Sequence, residues 1–302
     1  MALSDSRAFK RFRKNRGAMV GAIIVATALL LSLLAPWIAP HDPNVPYGAR
    51  TLTTQGVPVG PSLQRCEPHA GAAVTATPCR DFPLGADSLG RDELSRLLSG
   101  GRVSLAVAFA ATALLAVVGT VIGVAAGYFG GWVDAALMRF VDVLLSFPFL
   151  LVVMAINRAV KKPGIWVLFV VLGLLSWTGM SRQVRAKVLQ VKELEFVVAA
   201  RALGAGALRI VWKHVLPNVG SVIIVIATTL IAEMIIVESV LSYLGVGVVP
   251  PTSSWGSMLQ ESDSFMRVAP RLTVLPLIAI LGTVIGFNLL GEGLRDAFDP
   301  KA

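Results

Sequence analysis

The chain has 302 residues, of which 55% are hydrophobic and 15% charged, and its mean hydropathy is +0.73. That balance excludes an ordinary soluble domain and describes a membrane chain. The net charge of +9 and pI of about 10.1 would suggest nucleic acid in a soluble protein. Here the basic residues sit beside apolar runs, where the positive-inside rule accounts for them, and no basic stripe with interleaved aromatics is present. Two cysteines cannot make a zinc site by themselves, and neither HExxH nor CxxC occurs, so no metal and no cofactor are expected.

Residues 1–17 are polar and basic (Arg7, Lys10, Arg11, Arg13, Lys14, Arg16) and are read as a cytoplasmic N-terminus. Residues 18–38 form an apolar run long enough to span a bilayer. It is longer than a typical signal core, and APWIAPHDP is a poor cleavage site, so it is read as a retained first span. Residues 39–102 are then an extracytoplasmic loop, rich in proline and glycine in its early part. Cys66 and Cys79 lie in it and are candidates for a disulfide, the alternative being two free thiols. Closing so short a loop would add about 3 kcal/mol in the chain-entropy model. In PLGADSLGRDELSRLLSGGRVSL (83–105), Leu94, Leu97 and Leu98 form one face with Arg91, Asp92 and Arg96 off it, which predicts an interfacial helix.

Residues 103–302 are read as the transmembrane permease domain. The second span, 103–128, carries Gly123 and Gly127 four apart, a small-xxx-small face suited to close packing. The third is built on the apolar run 144–156, begins within 135–141, and is expected to bend at Pro148. The fourth is 164–180, and a cytoplasmic loop with seven basic residues follows over 181–217. The fifth, 219–245, holds Glu233 and Glu238. Intramembrane carboxylates face protein or water, so both are candidates for lining a path or for bonding within the bundle. Their spacing places them about 140° apart, which argues against an acid–base pair. An intramembrane hydrolase would also need a convergent base, and His41, His69 and His214 lie outside the spans. The sixth span is 272–290; Asn288, near its end, is read as a capping or interhelical residue. The whole is an all-α membrane protein of six transmembrane helices with both termini cytoplasmic.

The 195–218 segment, EFVVAARALGAGALRIVWKHVLPN, is the expected docking elbow. Small residues at Ala199, Ala200 and Ala202 leave one helix face low. Gly204 and Gly206 end that helix, because glycine turns sharply at little steric cost. Leu208, Val211, Trp212 and Val215 at i, i+3, i+4 and i+7 predict an apolar stripe on a second helix, with Arg209 and Lys213 on another face; Pro217 is expected to stop it.

This elbow resembles the signature loop of ABC importer permeases, Glu-Ala-Ala, three residues, Gly, then a fixed gap to Leu-Pro. Ala199, Ala200, Gly204, Leu216 and Pro217 stand at that spacing, whereas Val198 replaces the pattern's Glu and His214 its usual Ile. Glu195, one turn earlier, supplies a similar charge. Four further segments are similar to the dipeptide and oligopeptide permeases: LGADSLGRDELSRLLSGG, with Ala86 for Thr; GYFGGWVDAALMRFVDVLLSFPFLL; LGVGVVPPTSSWG; and FNLLGEGLRDAFDPKA. Residues 44–80 look like a family-variable insertion.

The resemblance, to the second permease subunit of dipeptide, oligopeptide and nickel importers, implies a type I ABC importer permease fold in a bacterial inner membrane. It also implies a second homologous permease subunit, two cytoplasmic ATPase subunits and an extracytoplasmic solute-binding protein. No GxxxxGK[ST] occurs, so energy must come from a partner. Short peptides are the expected cargo, with nickel or another small solute as the alternative. A proton-coupled carrier using Glu233 or Glu238 would need no ATPase, but no inverted repeat supports it.

Overall fold

The computed structural model describes residues 7–47, 58, 60–61, 82–160 and 164–298. Cys66, Cys79 and most of the 44–80 insertion lie outside them. The described residues are almost wholly helical. In order they form α1 (Arg7–Lys14), α2 (Arg16–Leu33), α3 (Ala35–Ile38), α4 (Glu93–Phe129), α5 (Gly131–Leu145), α6 (Phe149–Ala159), α7 (Ile165–Val191), α8 (Glu195–Ala202), α9 (Ala207–Ile210), α10 (Leu216–Tyr243), α11 (Trp255–Ser262) and α12 (Arg271–Phe298).

Five helical segments are long and apolar enough to cross a membrane, and α5 with α6 make a sixth candidate bent by 79°. Ser146, Phe147 and Pro148 separate the two, and Pro148 caps α6, as the lack of a proline N–H requires. Close contacts set the direction in which this pair runs. A Cβ on Gly119 would lie 3.0 Å from Trp177 O, on Gly123 2.6 Å from Ser181 O, and on Gly127 2.9 Å from Arg185 O. Both sequences rise together, so α4 and α7 run parallel, backbone against backbone. Gly127 sits level with Val188, more than twenty residues from the start of α7. The chain between Phe129 and Ile165 must therefore travel back about 35 Å. A parallel reading of α2 and α12 fails by the same test: Gly21 meets Gly286 and Leu290, and Gly293 meets Ala18, so these two are antiparallel. The candidate crossings thus number five, or six with α5 and α6 taken together as one bent span.

The chain divides into two compact units. The first (1–25, 107–236, 283–302) holds the α4–α7 contact and the elbow. Its cation-rich helix ends are paired: Arg185 donates twice to Asp134 (both 2.5 Å), Arg182 donates to Asp142 (2.6 Å), and Lys192 Nζ donates to Gly127 O (3.0 Å). The second unit (26–106, 237–282) is polar inside. Gly101 lets Trp255 and Ser32 approach within 2.7 Å of where a Cβ would stand, and Trp255 Nε1 donates to Leu97 O (3.0 Å).

Four expectations change. The interfacial helix before the second span is not a separate element, because residues 93–129 form one helix. Its charged residues also point inward: Arg91, Asp92 and Arg96 are buried. Asp87 and Glu261 pair with the two arginines, and Ser95 bonds Asp92, which offsets the cost of burying them. The fourth span continues to Val191, since Val184, Val188 and Val191 keep a buried stripe beyond the apolar run. Pro217 does not stop the helix. Leu216 N–H donates to Val211 O, five residues back, so the turn ahead of the proline is a wide π turn (Val211–Val215) that leaves room for its ring. The run is thus helical from Ala207 to Tyr243. The sixth span likewise extends through most of the predicted tail, to Phe298.

Candidate coupling elbow and polar sites

The elbow is two short helices joined by glycine. α8 begins at Glu195, whose carboxylate suits a helix N-terminus. It ends in a Schellman arrangement: Gly204 N–H donates to Arg201 O and Ala205 N–H to Ala200 O, both at 3.0 Å, with Gly204 at φ +84°. No neighbour crowds Gly204, so the left-handed backbone, not lack of space, is what calls for glycine. Gly206 then caps α9, with Ile210 N–H donating to its carbonyl (3.1 Å). Asn218 Nδ2 gives the His214 carbonyl a donor at 2.6 Å, and the His214 and Phe196 rings stand 6.1 Å apart across the elbow.

Burial divides this segment differently from the predicted stripe. Ile210 and Val215 are buried, Val211 half-buried, but Leu208 is 73% exposed and Trp212 63%. Leu203, at the tip, is 89% exposed. Ala199, Val198, Arg201, Arg209, Lys213 and Pro217 are exposed too, with Ala200 and Leu216 half-buried. The result is an apolar crown ringed by cations, held on a base of buried Ile210, Val215 and Val219. Exposed apolar residues of this size form a patch of the kind that meets a protein or a membrane.

Glu233 and Glu238 part company. Glu238 is fully buried and accepts from Ser104 Oγ (2.8 Å) and Ser242 Oγ (2.7 Å). Those hydroxyls in turn accept from Trp255 N–H (3.2 Å) and Val248 N–H (3.1 Å). This carboxylate is the hub tying α10 to α4 and to the loop before α11. Gly256 and Gly247 allow that closeness, since a Cβ on either would fall within 2.6 Å of Ser239 or Ser242 backbone. Glu233 is exposed in mid-helix on a stripe with Ile236 and Val240. Asn288 is exposed as well.

The second unit also contains a charged knot that no motif announced. Asp87 accepts from Arg91 Nε (2.7 Å) and from Arg96; Glu261 accepts from Arg91, and its Oε2 lies 2.9 Å from Arg96 Nη1. Asp92 caps α4 through Ser95 N–H (3.0 Å). Arg271 donates to Leu84 O (3.2 Å) and Ala86 O (3.1 Å). His41 stacks on Phe82 at 4.8 Å and meets Tyr47 edge-on at 5.2 Å. Burial pushes the Glu261 carboxyl up to about 7, against the pull of Arg91. The available signal was the i, i+4 and i+9 spacing of Asp87, Arg91 and Arg96.

Residues 119–302 match the family described as "Binding-protein-dependent transport system inner membrane component", and residues 6–55 match the "N-terminal TM domain of oligopeptide transport permease C". The glutathione transport system permease protein GsiD of Escherichia coli O157:H7 is 39% identical over 293 residues, covering 97% of this chain and 89% of that protein. The same figures hold for GsiD of Shigella dysenteriae serotype 1 (strain Sd197) and of Shigella boydii serotype 4 (strain Sb227). With its five to six candidate spans and its match over most of its length, the chain belongs to the OppC-type permeases of the peptide and nickel ABC importers: it is a multi-pass inner-membrane permease subunit, not an enzyme, of a class that works with ATPase and binding-protein partners.

Proposed function

We propose that this permease pairs with a second, homologous permease subunit to enclose one pathway for short peptides, and that its elbow docks on one of two ATPase subunits. The observation that carries the docking is the crown of Leu203, Leu208 and Trp212, exposed on helices rooted by buried Ile210 and Val215. Cations at α1 and at the elbow put that side of the membrane in the cytoplasm. The described residues 39–47, 82–92 and 244–270 then face outward, toward a solute-binding protein. The relatives named for glutathione transport, and the oligopeptide permease match at the N-terminus, favour a small peptide as cargo.

The mechanism is mechanical. ATP-driven closure of the ATPases displaces the elbow, and the unbroken helical run 207–243 carries the displacement into the membrane. Glu233 rides on that run. A carboxylate facing lipid at mid-bilayer would cost about 2.5–3.5 kcal/mol, so the Glu233, Ile236 and Val240 stripe is turned to the pathway or the second permease. Glu238 holds the bundle. The proton-coupled carrier has no place in this family.

A pull-down of the tagged chain from its native membrane, followed by mass identification and reconstitution, tests the proposal. Recovery of an ATPase, a second six-span permease and a solute-binding protein, with ATP-driven uptake of labelled di- and tripeptides, is expected. Uptake of nickel without peptide would overturn the cargo; recovery without a second permease would overturn the pairing.

A further inference from the structure

The charge on α1 is sorted by face. Its sequence, RAFKRFRK, contains no acid. At 100° per residue, Lys10, Arg11 and Lys14 share an arc of about 100°, with Arg13 beside it, while Phe9 and Phe12 lie opposite. Lys10, Arg11, Arg13 and Lys14 are all exposed, whereas Phe12 is half-buried.

Phe12 seats the helix. A Cβ on Gly293 would touch the Phe12 ring at 3.4 Å and Ala18 at 2.2 Å, so glycine on α12 leaves the shelf on which α1 rests. Asn15 fixes the joint between α1 and the first span. Its Nδ2 donates to Asp296 Oδ2 (3.0 Å) and its Oδ1 accepts from Ala18 N–H (3.2 Å). The cationic face is therefore held, not trailing. It is also held at a defined level, because Arg16 opens α2 and the first outward apolar residues, Met19, Val20 and Ile23, follow within two turns.

We propose that α1 is a binding surface for anionic phospholipid headgroups. Guanidinium and ammonium groups fixed within two turns of lipid-facing side chains meet phosphodiesters at the membrane surface. Arg13 offers a fork that matches phosphate oxygens, and Lys10 and Lys14 add point charge. Phe12 packs on protein, and Lys10, Arg13 and Lys14 share an arc of about 100° turned away from it. Lipid fits better than free phosphate because the surface adjoins the apolar span. It fits better than an acidic protein because these cations, within about two turns of the span, are closest to the headgroup layer. The inference stands on α1 alone and does not depend on the cargo or on elbow docking.

The test uses the full chain in nanodiscs of phosphatidylcholine with or without phosphatidylglycerol, and reads lipid retained on the protein by native mass spectrometry. The K10Q/R13Q/K14Q variant should retain phosphatidylglycerol at least about tenfold less well than the parent. The charge-conserving R13K variant should retain most of it, which separates lost charge from lost folding. An R201Q/R209Q/K213Q variant of the elbow should bind as the parent does. Equal retention by the α1 variant would overturn the proposal, as would release of the lipid by millimolar inorganic phosphate, which would indicate a free-anion site. Unchanged lipid retention combined with loss of ATPase recovery would also overturn it, by assigning the cations to an acidic protein surface.

Discussion

The charged knot around Arg96 and the elbow around Leu208 invert the usual rule in opposite directions. In the knot, charged side chains are mostly buried, and they pair with one another, while Arg96 Nε and Asp92 Oδ1 find no partner among the described residues. In the elbow, large apolar side chains stand exposed among cations, and nothing among the described residues covers them. The difference separates two kinds of residue. A buried charge paired with its counter-charges serves the fold. An exposed apolar crown contributes little to the fold, which is why the proposal above gives it a partner.

The sharpest way to break this contrast is at Arg96. Arg96→Met leaves Asp87 and Glu261 each short of a cation, and about 3–5 kcal/mol of stability should be lost. Thermal unfolding in detergent would record it as a large drop in Tm or as failure to accumulate. A result near the parent would mean the knot is not cooperative. The α4–α7 contact comes next. Gly123→Ala places a methyl 2.6 Å from Ser181 O, so about 1–3 kcal/mol should be lost by the same measurement. In the elbow the prediction changes sign in kind. Leu208→Ser with Trp212→Ser should leave unfolding within about 0.5 kcal/mol of the parent, as expected of exposed sites, while ATP-driven uptake falls at least about tenfold. Gly204→Val forces a β-branched residue into a left-handed backbone. It should cost about 1–2 kcal/mol locally and likewise uncouple transport from ATP hydrolysis.

The smallest expected effect concerns pH. The Glu261 carboxyl titrates near 7 in the fold and near the ordinary glutamate value when unfolded. Between those values the folded chain holds the proton more tightly, so this group's contribution to stability falls as pH rises from about 4.5 to about 7. Glu261→Gln should flatten that dependence in a pH series of melting curves. A steeper dependence in the variant would contradict the assignment.

The spans were legible because apolar runs of membrane length leave little choice. Their ends were not, since helices continue past the apolar window wherever charged residues find partners, as Arg185 does with Asp134 and Arg96 with Asp87. Pro217 misled for a local reason: a proline usually ends a helix, but a widened turn just before it lets the helix pass. Within the elbow the Gly204 turn was readable from composition. The outward face was not, because i, i+3, i+4, i+7 spacing identifies a stripe without saying what covers it. Glu233 and Glu238 looked equivalent in sequence; only the serines gathered around Glu238 tell them apart.

The central claim is that the crown receives an ATPase subunit. A photo-crosslinking residue placed at Leu208 in the full chain, irradiated in native membranes, tests it most directly. The account predicts a single major adduct with the ATPase subunit, lost when Gly204→Val is introduced. An adduct with lipid or with the second permease, and none with the ATPase, would contradict it.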